Sequence, residues 1–183
     1  MDNGPHACDV VRKLLGEVVA AQGYVRESLT LQKGCEVEAF ALFRDFDRGF
    51  AEVRSSWSQP NGYLTVDVRG TDGWLRVETA PWRLAGVLSN GKHLHRSYGV
   101  QRLAERAFRL RHGCERSLVR EIEAFVSPGV GERPEASGWD GCRVTEMVDA
   151  VYRSSASGAE VRLDPLLVHL PSSARRRALG PAA

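Results

Sequence analysis

The chain has 183 residues, 43% of them hydrophobic and 26% charged, with a formal net charge of +2 at pH 7. That length supports a full buried core, and that composition is ordinary for a globular domain. Near-neutral charge makes no electrostatic case for nucleic acid or an anionic membrane, and no apolar run reaches the ~20 residues that a bilayer-spanning helix needs.

The opening stretch, Asp2-Asn3-Gly4-Pro5-His6-Ala7-Cys8-Asp9, is polar and does not read as a signal sequence, so a cytoplasmic location is expected. Pro5 suits the first turn of a helix. Cys8, Val11, Leu14 and Leu15 supply that helix's apolar face, and Gly16 ends it. An acid and an imidazole four residues apart, Asp2 and His6, thus stand at a Gly-Pro turn entering a helix. Histidine exchanges a proton readily near neutral pH, so the two form a candidate proton-transfer pair.

A block of period-2 segments follows. Val18 to Tyr24 is short and apolar. Alternation then runs through Val37–Phe43, Ala51–Trp57, Tyr63–Val68 and Trp74–Glu78. The turns Asp47-Arg48-Gly49, Pro60-Asn61-Gly62 and Gly70-Thr71-Asp72-Gly73 separate them, which predicts an antiparallel meander. His93-Leu94-His95 places two imidazoles on one face of an extended segment, a spacing that metal sites use. No cysteine or acid nearby completes a set, so no metal site is expected. The loop from Ser89 to Tyr98 reads as a substrate loop at the sheet end or a surface turn.

The second half is helical. Leu118, Ile122, Phe125 and Val126 form one amphipathic stripe, ended by Ser127-Pro128-Gly129. Asp140 is the expected N-cap of a further helix with the stripe Val144, Met147, Val148, Val151 and Tyr152, stopped at Gly158. Glu160 to Leu163 makes a last short strand. Residues 166–183 lose pattern and read as a flexible tail, whose Arg175 to Arg177 run reads as solvated. The four cysteines, Cys8, Cys35, Cys114 and Cys142, are far apart without a Cys-x-x-Cys, so reduced, mostly buried thiols are expected. The reading is an α+β domain over residues 1–165, an antiparallel-rich mixed sheet of about six strands with helices packed on one face.

These residues resemble a family. Asp2-x-Gly4-Pro5-His6-x-x-Asp9 followed by Leu14-Leu15-Gly16-Glu17 resembles the start of the C-terminal domain of the glucose–fructose oxidoreductase / inositol dehydrogenase (Gfo/Idh/MocA) family. Arg48-Gly49 with Ser56-Trp57, the hairpin Val66 to Leu75, the helix Leu118 to Phe125, and Asp140 to Ser155 with Gly158 to Val161 follow in the family's order. The resemblance implies hydride chemistry between a sugar or cyclitol carbon and NAD or NADP. It makes His6 the general acid/base, with Asp2 orienting substrate or imidazole and Asp9 one turn on, facing the same side; His93 and His95, in the Ser89 to Tyr98 loop, are the further substrate-binding candidates.

The family's Gly-x-Gly-x-x-Gly turn and its lysine motif are both missing from this sequence. No nicotinamide binding is therefore expected of the chain alone, and NAD or NADP only with a Rossmann domain, either supplied by a separate subunit or lost by truncation. The alternative is a non-redox domain: an assembly or binding module, or a cofactor-free lyase or isomerase using His6 and Asp2. Trp57, Trp74, Trp82 and Trp139 suit a sugar pocket or, more simply, core and interface. An apolar outer sheet face carrying Phe40, Leu42, Tyr63 and Trp74 predicts a homodimer formed sheet to sheet. A small polyol or sugar is the expected ligand, with no nucleic acid and no membrane partner.

Overall fold

A computed structural model describes residues 4–27, 35–47, 49–57, 64–79, 82–126 and 137–164. Their elements run α1 (Gly4–Leu15), β1 (Val18–Glu27), β2 (Glu36–Asp45), β3 (Phe50–Ser56), β4 (Thr65–Gly70), β5 (Gly73–Thr79), β6 (Trp82–Leu88), β7 (His93–Ser97), α2 (Gly99–His112), α3 (Arg116–Val126), α4 (Gly138–Ser157) and β8 (Val161–Arg162). They divide into two compact units. The first holds α1 to β3 with α4 and β8; the second holds β4 to α3. The expected α+β, antiparallel architecture holds. Among the described residues the strands number eight, close to the expected six, in two four-stranded sheets ordered β3-β2-β1-β8 and β4-β5-β6-β7.

In the first unit, α1 and α4 cover one sheet face. Alternation along β2 sends Ala39, Ala41 and Phe43 to that face. Ala41 and Phe43 meet Cys8 and Val11 of α1 and Val144, Met147 and Val151 of α4 in one buried cluster. Small residues let α4 come close. A methyl on Gly23 would lie 2.7 Å from Val151 Cγ1. Beyond Ala21, where the pairing with the two-residue β8 ends, the edge of β1 is satisfied by the helix instead. The main-chain N–H groups of Gly23 and Val25 donate to the Ser154 and Ser155 hydroxyls at 3.0 and 2.9 Å. The opposite face presents Tyr24, Phe40, Leu42 and Phe50, all exposed and uncovered by any described helix of this unit.

The second unit is a four-stranded meander followed by the α2–α3 hairpin. The β4–β5 turn fits the predicted Gly70 to Gly73 segment, with Gly73 at φ +129°, a conformation open to glycine. The hairpin between α2 and α3 is held by polar contacts. Arg116 lies over the Phe108 ring at 5.0 Å, and its main-chain N–H donates to Glu105 Oε2 at 3.2 Å.

Several expectations are corrected. Phe40 and Leu42 do not share a sheet with Trp74, because the meander splits after β3 and Trp74 lies on β5. Tyr63 falls outside the described residues, as does the tail 166–183. Ser137, not Asp140, caps α4: Asp140 sits three residues in and completes a capping box with Ser137. Only Cys8 is buried among the free thiols, while Cys35 and Cys142 are exposed. Two elements missing from the sequence reading are β6 and α2. Strand β6 has weak alternation, and the apolar positions of α2 are interleaved with four arginines, Arg102, Arg106, Arg109 and Arg111.

Candidate functional site

The first turn of α1 carries the acid–imidazole motif. Gly4 begins the helix and Pro5 follows, at a position whose N–H has no intrahelical partner. Cys8 and Val11 face the core and are buried. His6 lies two positions before Cys8, a rotation of about 200° on the helix, so His6 projects away from the core. It is exposed. Asp9 lies three residues beyond His6, on the same flank. It is half-buried and forms an ion pair with Lys13 at 3.6 Å. Asp2 lies outside the described residues. Burial pushes the Cys8 thiol up to about 12. It therefore stays protonated at neutral pH and is a core side chain rather than a nucleophile.

The far end of α1 is set in place by a charged cluster that sequence reasoning missed. Arg143, with a side chain only 3% exposed, pairs with Glu17 and Glu146. It also donates to the carbonyls of Val18 at 3.2 Å and Asp164 at 3.0 Å. Arg12 reaches Glu17 at 3.6 Å and Asp140 at 3.1 Å. A guanidinium withdrawn from water persists only when answered by charge and hydrogen bonds. Here the answers come from the α1–β1 turn, the start of β1, α4 and the segment after β8. The signal that could have found it is a glutamate directly after the helix-ending Gly16, together with an arginine beside the apolar stripe of α4.

His93 and His95 lie in the second unit on β7, both exposed. They share one sheet face, as predicted from their spacing. His93 stands opposite Val87, which stands opposite Trp74; His95 stands opposite Ala85, which stands opposite Arg76. His6 and Asp9 thus belong to one unit and His93 and His95 to the other. No group of three or more His, Cys, Asp or Glu side chains among the described residues is arranged to hold a metal ion.

A dinucleotide is a poor fit to the described residues. Every pairing among them is antiparallel. The one strand-to-helix passage among them, β7 to α2, carries a single glycine, Gly99, where a pyrophosphate cradle uses several. The N-terminus of α4 is filled by its own Asp140 carboxylate, which accepts from the Ser137 main-chain N–H at 2.8 Å. No described helix is long and apolar enough to cross a membrane.

The family resemblance is borne out by known proteins. Residues 1–76 match the family model described as the GFO/IDH/MocA C-terminal domain. A D-apiose dehydrogenase of Rhizobium rhizogenes is 24% identical over 173 residues, covering 91% of this chain and 49% of its own length. An oxidoreductase from Agrobacterium radiobacter, solved with NAD+, L-tartaric acid and magnesium, superposes with a TM-score of 0.70 at 22% identity, over 87% of this chain and 47% of that one. Levoglucosan dehydrogenase, solved with NADH, gives 0.71 at 18% identity, over 88% and 48%. At these identities the solved structures establish the fold. The chain spans about half the length of the relatives it matches.

Proposed function

We propose that this chain, a relative of the Gfo/Idh/MocA C-terminal domain, forms the substrate side of an NAD(P)-dependent oxidoreductase acting on a sugar-like or cyclitol alcohol or ketone in the cytoplasm. The observation that carries the reading is the exposed His6 at the first turn of α1, inside the segment that matches the family model. In this reading, His6 is the general acid/base that takes the proton of the reacting hydroxyl and returns it in the reverse direction. Asp2 orients the imidazole or the substrate, and Asp9 supports the same flank. The buried Arg143–Glu17 pair holds the far end of α1 and keeps His6 at a fixed height above the sheet. The nucleotide is held by polypeptide outside the described residues. The open sheet face bearing Tyr24, Phe40, Leu42 and Phe50 joins two copies in a homodimer, for which light scattering would read twice the chain mass and a Phe40→Glu, Leu42→Glu double variant the monomer mass.

The test of the catalytic reading is reconstitution. The chain is co-expressed with the nucleotide-binding half of the D-apiose dehydrogenase, and nicotinamide absorbance is followed on a panel of sugars and cyclitols. Turnover is expected with the wild-type chain. His6→Ala should lower kcat by ~10²–10⁴-fold, the usual cost of a missing general base. His6 is exposed, so the variant should keep the wild-type circular dichroism. Equal turnover in His6→Ala would remove the role assigned to that imidazole.

A further inference from the structure

The second unit carries a surface that the α1 site leaves unused. Residues directly opposite across paired strands share a sheet face. Three rows can therefore be read off the register of the meander. The first is Arg69, Trp74, Val87, His93; the second is Asp67, Arg76, Ala85, His95; the third is Thr65, Glu78, Arg83, Ser97. On this face β5 contributes the large side chains Trp74 and Arg76, and β7 contributes His93 and His95. Between these four side chains the middle strand contributes Val87 and Ala85, and its Arg83 lies beyond them in the third row. The result is a trough two strand spacings wide, roughly 9.6 Å between its walls, floored by small apolar side chains. The other face of the same strands is unlike it, carrying Val66, Val68, Leu75, Val77, Leu84 and Leu94.

Charge on the trough face is unevenly answered. Asp67 is held by Arg76 through two hydrogen bonds of 2.6 and 2.8 Å, and Glu78 is held by Arg83. Arg69 has no ion pair among the described residues; its field only helps hold the Asp67 carboxyl below its ordinary range, behind the larger effect of the Arg76 hydrogen bond. One uncommitted guanidinium fork therefore remains, next to an indole that is 43% exposed, with two imidazole rings across the floor. A single free cation balances one negative charge. A guanidinium fork fits a planar carboxylate, and an exposed indole face takes the C–H face of a sugar ring. Imidazole nitrogens and the Ser97 hydroxyl offer hydrogen bonds to ring hydroxyls.

We propose that this trough, walled by Trp74 and Arg69 on one side and His93 and His95 on the other, binds a sugar carboxylate such as a uronate. Trp74 stacks on the ring, Arg69 takes the carboxylate, and His93 and His95 bond the hydroxyls. The proposal deepens the substrate-side reading of His93 and His95 and is independent of the proton-transfer role given to His6.

Binding is measured on the full chain by nuclear magnetic resonance, following the Trp74 indole and the His93 and His95 side chains. Glucuronate is titrated, with glucose as the neutral ring and acetate as the carboxylate without a ring. Saturable shifts of those three side chains with glucuronate, and at least about tenfold weaker shifts with glucose or acetate, are expected. Trp74→Ala, Arg69→Gln and the pair His93→Ala, His95→Ala should each weaken glucuronate about tenfold or more. These side chains are exposed, and an unchanged backbone spectrum checks that the variants fold. His93→Gln with His95→Gln, which keeps polar atoms in place, should recover part of the loss. His6→Ala should leave glucuronate binding unchanged, so a failed trough and a failed general base are told apart. Absence of saturable shifts, equal shifts with glucose or acetate, or undiminished binding in the trough variants would overturn the proposal.

Discussion

The two units of this chain are built on opposite principles. In the first, two helices clamp one face of a four-stranded sheet, and side chains such as Phe43, Met147 and Val151 are withdrawn completely. In the second, the sheet and the α2–α3 hairpin bury almost nothing. Gly86 is the one fully buried residue among the described residues there, and Leu103, Leu110, Phe125 and Val126 all stand more than 60% exposed. The first unit is held by packing and the second by ladders of hydrogen bonds and cross-strand ion pairs, each worth little in water. The hydrophobic effect thus concentrates stability where α1 presents His6, while the second unit is free to carry polar surface.

That contrast breaks if large truncations cost the two units alike. Phe43→Ala should destabilise the chain by about 4 kcal/mol in chemical denaturation, the usual cost of emptying a closed aromatic site. Trp74→Ala, on the open face of β5, should cost less than about 1 kcal/mol. Removing the buried cation should come next. Arg143→Met leaves Glu17, 8% exposed, without its main partner, at a cost of about 3 kcal/mol. The double variant Arg143→Met, Glu17→Gln should regain part of that loss, because the stranded charge is the larger share of the penalty. Gly23→Ala sharpens the packing side. The new methyl meets Val151 Cγ1, and a loss of about 1–3 kcal/mol is expected, relieved by adding Val151→Ala.

Much of the first unit was legible in the sequence because its signals are local and redundant. The Gly-Pro entry and Gly16 exit bracket α1, alternation marks β2 and β3, and Gly158 ends α4. The exposure of His6 followed from helical spacing once Cys8 was placed in the core. What stayed hidden depends on pairing at long range. The Arg12–Glu17–Arg143 cluster joins residues more than 120 positions apart, and no periodicity announces such a contact. Ser154 and Ser155 read as indifferent helix residues, yet they close the edge of β1. The trough became visible only with strand register, since Trp74, Val87 and His93 are neighbours solely through the pairing of β5, β6 and β7.

The smallest expected effect tests the helix start that positions part of the charged cluster. The Asp140 carboxyl is held at about 2, chiefly by the Ser137 hydroxyl, with the Ser137 main-chain N–H and the Arg12 guanidinium adding to it against the opposing effect of burial. A carboxyl whose folded pKa lies below its unfolded value, ~3.9, binds its proton more readily once the chain unfolds. Its contribution to stability is therefore fully present above about pH 4 and is lost as pH falls from there toward the folded value. Ser137→Ala removes the hydroxyl and with it half of the capping box, so it should cost about 1 kcal/mol at neutral pH. The same variant should raise the Asp140 pKa and flatten the decline in stability between about pH 4 and pH 2. Urea melts of both proteins at a series of pH values would measure the difference. Parallel curves, offset but equally steep in acid, would mean that the hydroxyl acts on helix geometry alone and that Arg12 holds the charge. In that outcome Arg12→Gln, rather than Ser137→Ala, should flatten the acid limb, and the start of α4 would be governed by the same charged cluster that fixes the far end of α1.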